Sequence, residues 1–396
     1  MSEAIIFKRS FLTTYSQGVI VMILVSVFFV HTPILLDRLN MTESQFGLAM
    51  LFFGIANVIT NQLATRFLIP RIGTTNCLII SRLTYAFIPF MIFFLSDYFW
   101  FFLLFIPWGI AVGIQAPSIF TQVAIIESKT KKILNPIYVS SFSVGGIIGA
   151  SLSSLVLGLS IDPKLTFLIL GILISLSSIT LFFFGLPSKY DIVNESPKFT
   201  LPSPSIFLYG SVMMLNFAAF GIILNWSSLW LIKDILAPIY LAGSIIIFFQ
   251  IGAIASNVLA SKLIKNLNEK IVGPYLSIIG SILLLLSIMN MNLYLIFIAI
   301  TLFGFFTSNV VPIVYRQAVK VSKKPITETI SHVSSIGFSG LIFGPAIVGY
   351  SAENLGLTFN MYLLCVVFLI SSAIMAYLMN QKKMVEGNEV EPTSLR

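Results

Sequence analysis

Between residues 11 and 380 the chain is a succession of apolar runs, each separated from the next by a few polar or turn-forming residues. Most are near the length of about twenty residues that a helix needs to cross roughly 30 Å of hydrocarbon. In that solvent every backbone N–H and C=O must bond within the protein, and a helix meets the demand inside one segment. Twelve crossings are expected, at 11–36, 43–67, 75–95, 98–126, 137–160, 165–186, 205–232, 239–264, 273–290, 293–320, 327–352 and 357–380. Composition agrees: charged residues make up 10% of the chain and the mean hydropathy is +0.98, where soluble domains carry roughly a quarter charged residues.

The basic residues test that count, because Lys and Arg are retained on the cytoplasmic side of inserted helices. With both termini on that side, nineteen of the 23 Lys and Arg gather there. Only Arg38, Lys164 and Lys233 fall opposite, and Arg82 lies within the third span, where it reads as snorkelling toward the headgroups. The net charge of +8 therefore reports topology. Spread over short loops, it offers no nucleic-acid surface.

Two phrases occur twice. Asn61–Arg66 reads NQLATR and Asn257–Lys262 reads NVLASK, 196 positions later. Ser140, Gly145, Ile147 and Gly149 recur, shifted by 195, as Ser335, Gly340, Ile342 and Gly344. Echoes at half the chain length predict two parallel, pseudo-symmetric six-helix bundles, an all-α polytopic membrane fold with a cavity near the midplane. The expected parts are a bundle at 1–186, a cytoplasmic linker at 187–204, a second bundle at 205–383 and a tail at 384–396.

Several classes of function are excluded. A membrane enzyme needs acids, histidines or nucleophiles clustered at one depth, and His31 and His332 fall on opposite sides. There is no Gly-x-x-x-x-Gly-Lys loop for ATP. Cys77 and Cys365 both lie in spans, so neither a disulfide framework nor a metal site is expected. The first run is too long for a signal-peptide core and reads as a retained helix. A secondary carrier of a small organic solute remains, without cofactor. Efflux antiport and a transporter-like receptor without transport are the alternatives.

The local phrases resemble the major facilitator superfamily over nearly the whole chain. The loop after the second span keeps Leu63, Ala64, Arg66 and Gly73 of that family's pattern, while Thr65 stands at its aspartate. Within the superfamily the sequence is most similar to a bacterial branch related to the fucose permease type. The matching phrases are Asn225-Trp226-Ser227, Asn309-Val310-Val311-Pro312 and the ladder Gly337, Gly340, Gly344-Pro345, Gly349. Three ionisable positions of the branch are altered, to His31, Ala116 and Asn225. The resemblance implies alternating access in a bacterial inner membrane, a monomeric working unit, proton coupling and a slight preference for uptake.

Polar side chains deep in a span are expensive unless they face a cavity or another helix. Gln115, Asn216, Gln250, Asn309 and Asn57 are therefore solute-binding candidates. Trp108, Trp226 and Asn225 join them as stacking and polar contacts, and Trp230 reads as an interfacial anchor. For coupling and gating, Glu328 and His332 stand one turn apart at the start of the eleventh span, with Arg316 late in the tenth and His31 on the opposite side. Gly145, Gly149, Gly337, Gly340, Gly344 and Pro345 are the expected packing and hinge positions, since small residues four apart let helices approach closely.

Overall fold

The computed structural model describes residues 3–132, 134–190, 202–322 and 326–388; the side chains of residues 135, 136, 188, 326–328, 331 and 381–388 lie outside the description. Most of the expected linker and tail falls on residues that are not described. Among the described residues there is no strand.

The helices are α1 (Glu3–Val30), α2 (Thr32–Leu39), α3 (Glu43–Leu63), α4 (Ile69–Ile72), α5 (Thr74–Ile92), α6 (Tyr98–Thr130), α7 (Asn135–Gly158), α8 (Pro163–Phe184), α9 (Pro204–Lys233), α10 (Ser244–Lys270), α11 (Leu276–Asn290), α12 (Leu293–Thr307), α13 (Val310–Val321), α14 (Ile326–Leu355) and α15 (Leu357–Asn388). Among the described residues eleven stretches are long and apolar enough to span, and one of them, Ile239–Asn290, has 52 residues. At 1.5 Å per residue that stretch is far longer than one crossing. It breaks at Asn268, whose φ of 64° and ψ of 164° are not helical, giving the twelfth span.

Three expected spans differ in detail. The first ends at Val30 and resumes as α2 beyond His31. The second continues through a π-helical turn at Ala64–Leu68 into α4, ending where Gly73 takes φ 80°. The tenth is interrupted at Ser308 and Asn309, ahead of α13.

Short polar caps set helix starts; those of α3, α6 and α8 lie at the end of the first unit's spans opposite Glu3, here the far end. Thr42 and Gln45 form a reciprocal capping box on α3, at 3.2 and 3.0 Å. Asp97, Asp162 and Asn292 each accept backbone N–H bonds at the starts of α6, α8 and α12. Large apolar side chains such as Phe182, Phe183, Ile347 and Tyr294 stand exposed on the helix exteriors, as hydrocarbon solvent allows.

The chain forms two compact units. One comprises Met1–Lys198, Gly221–Gln250 and Ile342–Asn360; the other Phe199–Phe220, Ile251–Leu341 and Met361–Arg396. In the first, α1 packs on α7, α3 on α6, and α5 on α6 and α8. Its core is aromatic: Phe28, Phe46, Phe101, Phe105, Trp108 and Phe167 are all buried. In the second, Val212, Met213, Ile313, Val314, Val333 and Met375 close the core.

Candidate functional site

Three kinds of polar feature are built into these helices: satisfied amides, a cluster of unsatisfied groups, and a set of ties at the far end. The satisfied amides hold helices together. Asn216 Nδ2 donates to Val212 O at 2.7 Å and to Ser371 Oγ at 2.6 Å, joining α9 to α15. Asn309 Nδ2 donates to Ser256 Oγ at 2.8 Å, linking the break ahead of α13 to α10. Such bonds are worth about 1 kcal/mol each in a membrane interior.

The unsatisfied groups lie in the first unit. Trp108, Gln115 and Gln122 recur at seven-residue spacing on α6, which places them on one face with about 10.5 Å between successive members. Gln122 is engaged: its Oε1 accepts from Thr14 Oγ1 at 2.9 Å and its Nε2 donates to Thr75 Oγ1 at 3.0 Å. Trp108 packs against Phe28 and Tyr85, with ring centroids 4.8 and 6.2 Å apart. Between these two levels sits Gln115, buried, with neither amide atom partnered, and Trp108 Nε1 is unpartnered too. Arg82 projects from α5 into the same unit and is fully buried. The snorkelling expected of Arg82 does not occur: it is eight residues into a helix of 19, so its Cα lies at mid-span and packing encloses the head group.

The far-end ties are also in the first unit. Lys233, closing α9, pairs with Glu43 at 3.2 Å and Asp37 at 3.6 Å. Ser44 N donates to Glu353 Oε2 at 3.1 Å, and Ser44 Oγ to Gly349 O at 3.5 Å, tying α3 to α14. The crossing is so close that a methyl on Gly47 would stand 2.6 Å from Pro345 O and 2.9 Å from Gly349 Cα. Asp234 Oδ2 accepts from Thr358 N and Oγ1 at 2.8 and 2.7 Å. Trp230, expected as an interfacial anchor, is instead buried, and its Nε1 donates to Thr358 Oγ1 at 3.0 Å.

The remaining candidates are scattered. Trp226 is buried against Phe46, with centroids 5.4 Å apart, and Asn225 is buried beside it. Gln250 is buried near Gly146 of α7. Asn57 is half-buried, and its carbonyl meets Gly113 at the α3–α6 crossing. His31 sits between α1 and α2 with Nδ1 2.8 Å from both Val27 O and Ser153 Oγ. Arg316, expected beside Glu328, pairs with Glu269 at 3.2 Å; the Glu328 side chain lies outside the described residues, and His332 is half-buried on α14. Among the described residues no group of acids, histidines or cysteines is arranged to hold a metal.

The packing glycines repeat their roles. Gly145 of α7 abuts Val19 O of α1, and Gly340 of α14 abuts Met214 O of α9. Gly149 abuts Ile23, and Gly337 abuts Met213. Gly344 and Pro345 are buried within α14.

The helical fold has counterparts among known proteins. A family profile described as Major Facilitator Superfamily matches residues 10–235 and again residues 206–394. An uncharacterised MFS-type transporter of Yersinia pestis is 24% identical over 332 residues, which is 81% of this chain and 83% of that protein. Two solved folds are alike over almost the full length. A bacterial homologue of the human lysosomal transporter Spinster, inward-facing and unoccupied, has a TM-score of 0.73 at 14% identity, covering 99% of this chain and 100% of that one. The nucleoside transporter NupG, solved as a point mutant, has a TM-score of 0.73 at 15% identity, covering 95% and 99%.

Proposed function

The chain belongs to the major facilitator superfamily and is a transporter, not an enzyme, and on that premise we propose that it carries a small organic solute by alternating access. The observation that carries this reading is the far-end set of ties. Lys233, Glu43, Asp37, Ser44 and Glu353 join helices from the beginning of the chain to helices from its second half through exposed, individually weak contacts. Exposed ion pairs are worth about 1 kcal/mol or less, so such a closure breaks and re-forms at low cost, as a gate must. A static scaffold gains little from ties of that kind.

In this reading the two six-helix bundles are residues 1–186 and 205–383, joined by a linker at 187–204 and followed by a tail at 384–396. Both termini face the cytoplasm across an inner membrane, in accord with the sorting of basic residues. The working unit is a monomer. Gln115, Asn225, Gln250, Trp108 and Trp226 contact the solute, while Asn57, Asn216 and Asn309 support the helices around it. Transport is proton-linked and favours uptake. The proton-linked step is assigned to Glu328 and His332, which stand four residues apart at the start of α14.

The test is a distance measurement between spin labels at Asn40 and Leu236, exposed positions at the far end. A carrier shows two distance populations whose ratio changes on adding a transported solute. A single population under a panel of sugars, nucleosides, amino acids and organic acids, with no exchange of any of them in proteoliposomes, overturns the proposal.

A further inference from the structure

We propose that Arg82 receives an anionic group of the transported solute, which makes that solute a small organic anion such as a carboxylate. This rests on the carrier reading above and narrows it. The guanidinium is fully buried, and its one described hydrogen bond runs from Nη2 to Gln17 Oε1 on α1. Nε and Nη1 are buried with no partner, which leaves three N–H groups unengaged. The carboxylates found in ion pairs, Asp37, Glu43 and Glu269, partner Lys233, Arg316 and Lys320 instead. Among the described residues, the phenols of Tyr85 and Tyr138 lie close to Arg82.

A lone cation in hydrocarbon costs several kcal/mol, and proteins place one there where something of opposite charge arrives. The surroundings favour an anion over a neutral solute. On α6, Gln122 meets Thr75 and Trp108 meets Tyr85. Gln115 lies halfway between them, so it faces α5 within about one turn of Arg82. Its Nε2 is a further buried donor without an acceptor, beside one unpartnered acceptor, its own Oε1, and Trp108 Nε1, two turns away along α6, is another unpartnered donor. Donors outnumber acceptors at this level of the unit, and a carboxylate supplies acceptor sites in the right sense, with Arg as the strongest partner.

The experiment uses the purified full-length chain, as wild type and as R82K, R82Q and R82M, with thermal unfolding read against lactate, succinate and citrate and against glucose and uridine. At least one carboxylate should raise the wild-type Tm progressively with concentration, as binding to the folded state requires. R82K should keep part of that shift and R82Q should lose it. Without ligand, R82M should unfold at a higher temperature than wild type, since it removes an uncompensated charge. No carboxylate shift in the wild type, an equal shift in R82Q, or an R82M chain that is less stable or fails to fold each overturns the assignment. A shift by glucose or uridine alone overturns it while leaving the carrier reading intact; that reading falls only on the spin-label and exchange measurements.

Discussion

Gly145 of α7 lies so close to Val19 of α1 that any side chain on the glycine would overlap the valine carbonyl oxygen. Adding 195 to both numbers gives Gly340 and Met214, and the same overlap recurs there, between α14 and α9. The echo in the sequence is thus a packing seam made twice, each time where the fifth helix of a half crosses the first. The Cα–carbonyl approach leaves no room for even a methyl.

Gly145→Ala and Gly340→Ala should each destabilise the protein by about 1–3 kcal/mol, the usual penalty for overfilling a tight contact. Gly221→Ala is the control, because its Cβ would meet nothing nearer than Asn225 Nδ2 at 3.9 Å. Thermal unfolding in detergent checks all three. Equal melting of Gly145→Ala and Gly221→Ala would show that the seam yields.

Lys233→Ala should leave stability within about 1 kcal/mol, since the ion pairs it loses are partly exposed. Its effect should appear in access: a cysteine at Ser44 should react several-fold faster with a membrane-impermeant maleimide added at the far end. The Lys233→Glu, Glu43→Lys double variant should restore the slow rate. Unchanged labelling in Lys233→Ala means that these charges do not close the gate.

Asn216 and Gln115 should separate cleanly. Asn216→Ala removes two buried bonds and leaves Ser371 Oγ with only its 3.4 Å bond to Val212 O, at a cost of about 1–2 kcal/mol. Gln115→Leu should cost almost nothing, or stabilise, because neither amide atom has a partner to lose. Solute-induced stabilisation should shrink for Gln115→Leu alone. The reverse ordering in melting temperature would reverse their roles.

Glu269 gathers Gln317, Arg316 and Lys320 of α13 around one carboxylate, with the two ion pairs at 3.2 and 3.0 Å. Glu269→Gln should lower stability by about 1–2 kcal/mol in low salt, with the difference narrowing as ionic strength rises and screens the cations. A difference that is constant from low to molar salt would point to shape rather than charge.

His332→Ala should flatten the dependence of solute exchange on internal pH and leave the melting temperature near wild type. A preserved pH profile in proteoliposomes assigns proton sensing elsewhere.

The helices were legible in the sequence because hydropathy adds residue by residue and the bilayer supplies a fixed length against which to read it. Small residues spaced four apart in α7 and α14 announced the seams, since the reason for them, lack of a side chain, is a property of the residue itself. The partners of the polar side chains were not legible. Asn216 meets Ser371 from 155 positions away, Trp230 is buried on Thr358 rather than anchored at an interface, and Arg82 points into packing rather than to a headgroup. Each outcome depends on the angle through which a helix is rotated about its own axis. That angle is decided by how the glycine seams let neighbouring backbones approach, and so by tertiary contact alone. By itself the sequence determined how many times the chain crosses and where two halves repeat. Only the folded arrangement decided which buried groups are satisfied and which, such as Nε and Nη1 of Arg82 and the Gln115 amide, are not.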